Sequence, residues 1–206
     1  IAVDVLTEEA LVESNQQFGL MADPRGYIEA KDKEWQSTSP DEITPFIRQF
    51  MDTRLSRELQ EDIEFFERKH GYKVFGEIFI TNTYGANVIQ TNKTSDYRQD
   101  DELWWQKAVA DGLYVGNVKF DQSANINSIE IAIRGDGGNG NFLGVIKGVL
   151  NIEGTHRIIK GIKQTSGYKT MDIALLTSEN KIIYATGGDL ATEEVLSVVN
   201  QFKETG

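Results

Sequence analysis

A chain of 206 residues, 39% hydrophobic and 26% charged, suits one ordinary domain or a domain with a small partner, and is too apolar for wholesale disorder. Its 21 Lys and Arg against 32 Asp and Glu give a net charge of -11, which repels phosphate backbones, so no nucleic acid partner is expected. The absence of cysteine removes disulfides, thiolate metal sites and cysteine nucleophiles, and no apolar run reaches the ~20 residues a membrane helix needs.

In chain order, Val3, Leu6, Ala10, Leu11, Phe18 and Met21 recur at helical spacing and predict a first helix. Residues 22–40 hold two of the three prolines and read as a long surface connection. Ser39, Pro40 and Glu42 carry a capping-box signature. Behind it Ile43, Phe46, Ile47, Phe50, Met51, Leu55, Leu59, Ile63 and Phe66 predict one amphipathic helix running to about Lys69. At 1.5 Å per residue it would be roughly 40 Å long, a spine for a sheet, stopped at His70-Gly71.

From Tyr72 the period changes to two. Residues 74–92 read as two strands around an Asn/Thr/Gly turn. Residues 96–112 read as a helix that opens on acidic side chains and stops at Gly112. Three strands follow, over 113–121, 128–135 and 141–152, the last with Gly144 and Gly148 on one face, where a neighbour can approach the backbone. A smaller repetition of the pattern begins after Glu153. It has a short helix, a hairpin turning at Ser178, Glu179 and Asn180, and a terminal helix with Val195, Leu196, Val199 and Phe202 on one face.

The motifs are mostly negative. Gly135-Asp136-Gly137-Gly138-Asn139-Gly140 fits G-x-G-x-x-G, but a strand follows where a dinucleotide site needs a helix, so a hairpin loop is the better reading. His70 and His156 belong to no metal-ligand spacing, and no G-x-S-x-G occurs. Neither a metal nor a cofactor is expected. Asp100, Asp101 and Glu102 suit the positive end of a helix rather than acid–base work. Trp104 and Trp105 leave two readings open. Neighbours on a helix point about 100° apart, so both can cap the core, or one can wall a pocket with Tyr97, Tyr114 and Asp121 near it in sequence.

The aromatic helix "WW..A...G", the strand "Y.G.V.FD", "SIEIAI", the Gly-rich turn and "LGVIKGVL" resemble the double Cache, or PDC-type, extracytoplasmic sensor domains of histidine kinases and chemoreceptors over roughly residues 40–185. The resemblance implies an α+β fold. A long N-terminal helix would pack on a PAS-like central antiparallel sheet in residues 1–152, with a smaller, reduced membrane-proximal α/β module in 153–206. It implies a sensor rather than an enzyme, with a small-molecule ligand on Trp104 and Trp105 oriented by Tyr97, Tyr114, Asp121 and Asp136. Amino-acid-binding members carry an Arg where this chain has Glu102, leaving Arg98 or Arg134 to take that part. The chain opens at Ile1 without a signal-like stretch and reads as a mature fragment. Membrane anchors would lie outside it, in an extracytoplasmic setting, with a homodimer formed along the long helix. The alternative is a protein-interaction or structural module of a receptor, with no small-molecule ligand.

Overall fold

A computed structural model of the chain describes residues 4–121, 126–168, 170–176 and 182–186. Four helices come first: α1 (Val5–Gly19), α2 (Pro24–Gln36), α3 (Pro45–Met51) and α4 (Arg54–His70). Asp4 caps α1 by accepting the Leu6 and Thr7 N–H groups, which a helix start otherwise leaves unpaired. α4 stops at Gly71, whose φ of 74° is left-handed and cheap only for glycine.

Three expectations for this region are corrected. Residues 22–40 are not a surface connection, because α2 fills most of them. Asp23 caps it, Pro24 sits in its first turn, and it buries Ile28 and Trp35. Trp35 is 1% exposed, and its Nε1 donates to the Thr94 carbonyl at 2.8 Å. The single long helix is two. The backbone leaves the helix at Asp52 and Thr53, and Thr53 caps α4 with its hydroxyl on the Ser56 N–H. The Ser56 hydroxyl in turn donates to the Phe50 carbonyl at 2.7 Å, which fixes the elbow. The capping residues at 39–42 close a turn instead, Glu42 N–H to Ser39 carbonyl, while Thr44 caps α3.

The later elements are β1 (Phe75–Asn82), β2 (Asn87–Gln90), α5 (Leu103–Asp111), β3 (Leu113–Val115), β4 (Lys119–Asp121), β5 (Ile126–Asp136), β6 (Phe142–Asn151), α6 (Glu153–Thr165), β7 (Ala174–Leu176) and β8 (Ile182–Ala185). The chain divides into two compact units. One comprises 1–116 and 129–150, the other 117–128 and 151–206. A single boundary at 152 would leave residues 117–128 in the first unit, whereas they group with the second.

In the first unit the strand order is β2-β1-β6-β5-β3. β1 pairs antiparallel with β2 and β6, and β3 antiparallel with β5. The Gly-rich segment is the β5–β6 hairpin loop, closed by Gly137 N–H to Asn141 carbonyl at 2.9 Å, with Gly140 at φ 80°. The fold is α+β, with an antiparallel sheet between helices.

Alternation along β1 sorts the core. Phe79 of β1 packs with Trp104, Ala108, Ala132 and Val145 on the α5 face. Ile80, the next residue, packs with Leu11, Ile89 and Leu143 on the α1 face. A third cluster lies among the helices, where Trp35, Phe18, Ile28, Ile47, Ala86 and Tyr97 meet.

In the second unit, β4 pairs with the start of β5 through Lys119↔Ser128 and Asp121↔Ile126. α6 is followed by the β7–β8 hairpin, and the His156 ring stacks on Tyr184 at 4.3 Å. The turn expected at Ser178, Glu179 and Asn180, and the helix expected over 192–202, lie outside the described residues.

The two β6 glycines separate sharply. A side chain on Gly144 would collide with the Thr81 carbonyl and press on Leu11, whereas Gly148 has open space around the same position. Gly144→Ala is therefore expected to cost about 1–3 kcal/mol in urea unfolding through overpacking. Gly148→Ala should be neutral or stabilising by up to about 1 kcal/mol. Equal effects would contradict the strand register.

Candidate functional site

The α5 face of the sheet gathers most of the residues the sequence singled out. α5 begins at Leu103, later than the sequence pattern predicts, and stops at Gly112 in the left-handed region at φ 83°. That placement turns both indoles toward the sheet, by different routes. Trp104 is buried, 4% exposed, edge-on to Phe79 with ring centres 5.6 Å apart. Trp105 is half-buried, packs on Phe142, and donates its Nε1 proton to the Thr81 hydroxyl at 2.9 Å. Both fill core space, and only Trp105 reaches toward the rim.

Antiparallel partners share a face, so register places the rest. Ala132 of β5 packs under α5, which puts Glu130, Arg134 and Asp136 on the same face. Tyr114, opposite Ala132 in the β3 pairing, joins them half-buried. Arg134 bonds Asp136 at 2.8 Å and the Val109 carbonyl at 2.9 Å, and its guanidinium lies 4.6 Å from the Phe142 ring centre.

Lys147, which sequence reasoning missed, is the most unusual residue here. It sits on β6 opposite Phe79, with only 9% of its side chain exposed. Its Nζ lies 4.6 Å from the Trp104 ring centre and 5.4 Å from that of Phe79, and it pairs with Glu130 at 3.3 Å. A buried ammonium needs a counter-charge, and ring faces add cation–π attraction. The face thus carries two cation–carboxylate pairs, Lys147–Glu130 and Arg134–Asp136, among aromatic rings.

Tyr97 and Arg98 lie elsewhere. Tyr97 is buried in the helix cluster against Trp35, Phe46 and Phe50, and burial raises its hydroxyl pKa above the ordinary value. Arg98 holds Asp100 at 2.8 Å, beside Arg25 from α2. Asp32 of α2 accepts the backbone N–H groups of both Tyr97 and Arg98, at 2.9 and 3.1 Å. Asp121 belongs to the second unit, where its backbone pairs with Ile126. The structure therefore brings together Trp104, Trp105, Tyr114, Arg134 and Asp136, and adds Lys147, Glu130, Phe79, Phe142 and Thr81. Among the described residues no group of three or more His, Asp or Glu could hold a metal ion, and no helix is long and apolar enough to cross a membrane.

No protein-family model and no curated protein matches this chain. Solved structures similar to it include ligand-binding or sensory domains of chemoreceptors and the extracellular domain of a putative histidine kinase. One is the ligand-binding domain of the Pseudomonas aeruginosa PAO1 amino acid chemoreceptor PctC in complex with GABA, 14% identical over 86% of this chain and 71% of that one, with a TM-score of 0.44. A second is the ligand-binding domain of the Campylobacter jejuni chemoreceptor Tlp3 in complex with L-norvaline, at 12%, 95%, 73% and 0.49. A third is the ligand-binding domain of the Pseudomonas fluorescens chemoreceptor CtaA in complex with L-serine, at 16%, 95%, 80% and 0.42. At such low identity the site stands on its own residues.

Two outcomes are expected. Lys147→Met, an apolar chain of similar length left on Trp104 and Phe79, should unfold close to the parent, since Glu130 keeps 23% of its side chain in water. Glu130→Gln strands the buried ammonium and should cost more, about 1–3 kcal/mol by thermal or urea unfolding. The reverse order would mean that Lys147 is not packed as described. Burial raises the pKa of Asp100, but hydrogen bonds from Arg98 and Arg25 outweigh it and hold that carboxyl below the usual aspartate value. Its stabilisation is then fully present above the unfolded-state value and is lost as pH falls through the folded one. Asp100→Asn should flatten that acid-side slope and leave neutral-pH behaviour of the α5 face unchanged.

Proposed function

We propose that this chain is the extracytoplasmic ligand-sensing part of a transmembrane receptor, a histidine kinase or a chemoreceptor, and that its α5 face takes a small zwitterion of the amino-acid type. The observation that carries the reading is the doubled ion pair on one aromatic-lined sheet face. A guest bearing a carboxylate and an ammonium can exchange partners with such pairs. Its carboxylate replaces Glu130 or Asp136 at the cation, and its ammonium takes the freed carboxylate, so no charge is left unanswered. Lys147 and Arg134 supply the cation that Glu102 does not, and Trp105, Tyr114 and Phe142 supply the apolar wall. The role is binding, not turnover. The first unit would be the membrane-distal module and the second the membrane-proximal one. Anchors would lie outside the chain, and a homodimer would form along the helices that replace the single long one. A guest shifts such a receptor only by preferring one of its arrangements.

Burial of Trp104 and the satisfied Trp105 N–H favour the second reading, a receptor module that interacts with protein and takes no small molecule at this face.

Calorimetric titration of the chain with the common amino acids and with γ-aminobutyrate discriminates the two. A saturable binder is expected. Its affinity should fall about tenfold or more in Lys147→Met and in Trp105→Ala, the order of a lost charge-assisted contact or aromatic wall. Binding indifferent to both changes, or none at millimolar concentration, would sink the zwitterion reading.

A further inference from the structure

Across the sheet from the indoles, a cleft of about 590 Å³ opens between α1, α3, the start of α4 and β2, all within the first unit. Its size lies in the range that holds small molecules. Nothing in the function proposed above uses it. Ile89 in its floor packs with Ile80 and Leu11 on the α1 side of the sheet, opposite Phe79 and Trp104.

Its walls are apolar and aromatic. Leu6, Ala10, Phe18, Phe50, Leu55 and Tyr97 line it, and Tyr27 stands at its edge, 37% exposed and edge-on to Phe18. Its charges are lopsided. Glu9 and Glu13, one turn apart on α1, both face the cleft and are exposed. Arg54, also on the rim, is already answered by Glu58 at 2.8 Å. Among the described residues Glu13 accepts only from the neutral Gln17 amide, and no cation pairs with Glu9. In the floor, Asn87 is 1% exposed. Its amide nitrogen donates to Thr94 and to the Asp96 carbonyl, and its Oδ1 has no partner. That orientation is fixed, because a flipped amide would set oxygen against the Asp96 carbonyl.

We infer that this cleft is a second binding site, for an organic ammonium ion with an aromatic or apolar body. The body would fill the space between Phe18, Phe50 and Tyr97, whose ring faces also attract cations. The ammonium would lie at the rim between Glu9 and Glu13. Asn87 Oδ1 is itself covered, so a guest N–H donor would complete this unpaired acceptor only where the floor gives way to it. An anionic guest meets repulsion from the same two carboxylates and is disfavoured.

The probes are phenethylamine and tryptamine, with 2-phenylethanol and 3-phenylpropionate as the uncharged and anionic controls, titrated calorimetrically into the whole chain. Both amines should bind saturably and more weakly as salt is raised. The alcohol should bind about fivefold or more weakly and the acid not detectably. Glu9→Gln with Glu13→Gln, both on the exposed face of α1, should leave thermal unfolding unchanged and weaken the amines to the level of the alcohol. Ala10→Phe, which fills the cleft, should abolish binding. Trp105→Ala on the opposite face should leave it intact, so a failure here is separable from failure of the zwitterion reading. The inference is overturned if neither amine binds at millimolar concentration, or if the double Gln variant binds as the parent does. It is also overturned if Trp105→Ala removes the amines, or if Ala10→Phe changes the oligomeric state while the amines still bind. That last result would make the cleft a contact between copies.

Discussion

Three consecutive residues of β1 divide the first unit into its working parts. Phe79 supports Trp104 on one face of the sheet, Ile80 meets Leu11 on the other, and the Thr81 hydroxyl receives the Trp105 N–H while donating to the Val145 carbonyl. Because the side-chain period of a strand is two, a slip of one residue would send Phe79 toward α1 and Ile80 under the indoles. Pairing with β6 in the centre of the sheet, Phe79↔Lys147 and Thr81↔Val145, holds that register. The close approach at Gly144, where the Thr81 carbonyl leaves no room for a side chain, ties it further.

The charged row follows from the same constraint. Lys147 could be a surface lysine on an edge strand. On a central strand opposite Phe79 it has to lie along the sheet under α5, and its ammonium needs Glu130 from the next strand. Arg134 is treated similarly, with Asp136 on one side, the Val109 carbonyl on another and the Phe142 ring against its plane. Charges that are paired and only partly wet respond to a charged guest more strongly than charges in bulk water, because the local dielectric is lower.

Much of the architecture was legible because β1, β5 and β6 announce a period of two and Gly71, Gly112 and Gly140 mark turns that need positive φ. α2 was hidden for a physical reason. Only Ile28 and Trp35 of its 13 residues are buried, and Pro24 and Gly26 mimic a loop, so the stabilisation comes from one indole and a cap rather than from periodicity. The elbow at Asp52–Thr53 was hidden because apolar spacing resumes beyond it, although Thr53 followed three residues later by Ser56 was a readable cap. At the candidate site, Tyr97 is near the indoles in sequence but turns into the helix cluster, while Trp104 and Trp105, adjacent on one helix, both pack on the α5 face. The pairing of Lys147 with Glu130 needs the strand register, which no local pattern encodes.

Asp32 is a mechanical tie between α2 and the segment that leads into α5. A single carboxylate on α2 grips two successive peptide N–H groups, those of Tyr97 and Arg98, and Arg25 at the other end of the same helix reaches Asp100. The segment that feeds into the indole-bearing helix is thus stitched to α2 at three points within four residues. Lifting that helix off the sheet means either tearing charge-assisted bonds or carrying α2 along as luggage. Small displacements of that helix would therefore have to take α2 with them, and residues 97–100 form a strut rather than a hinge.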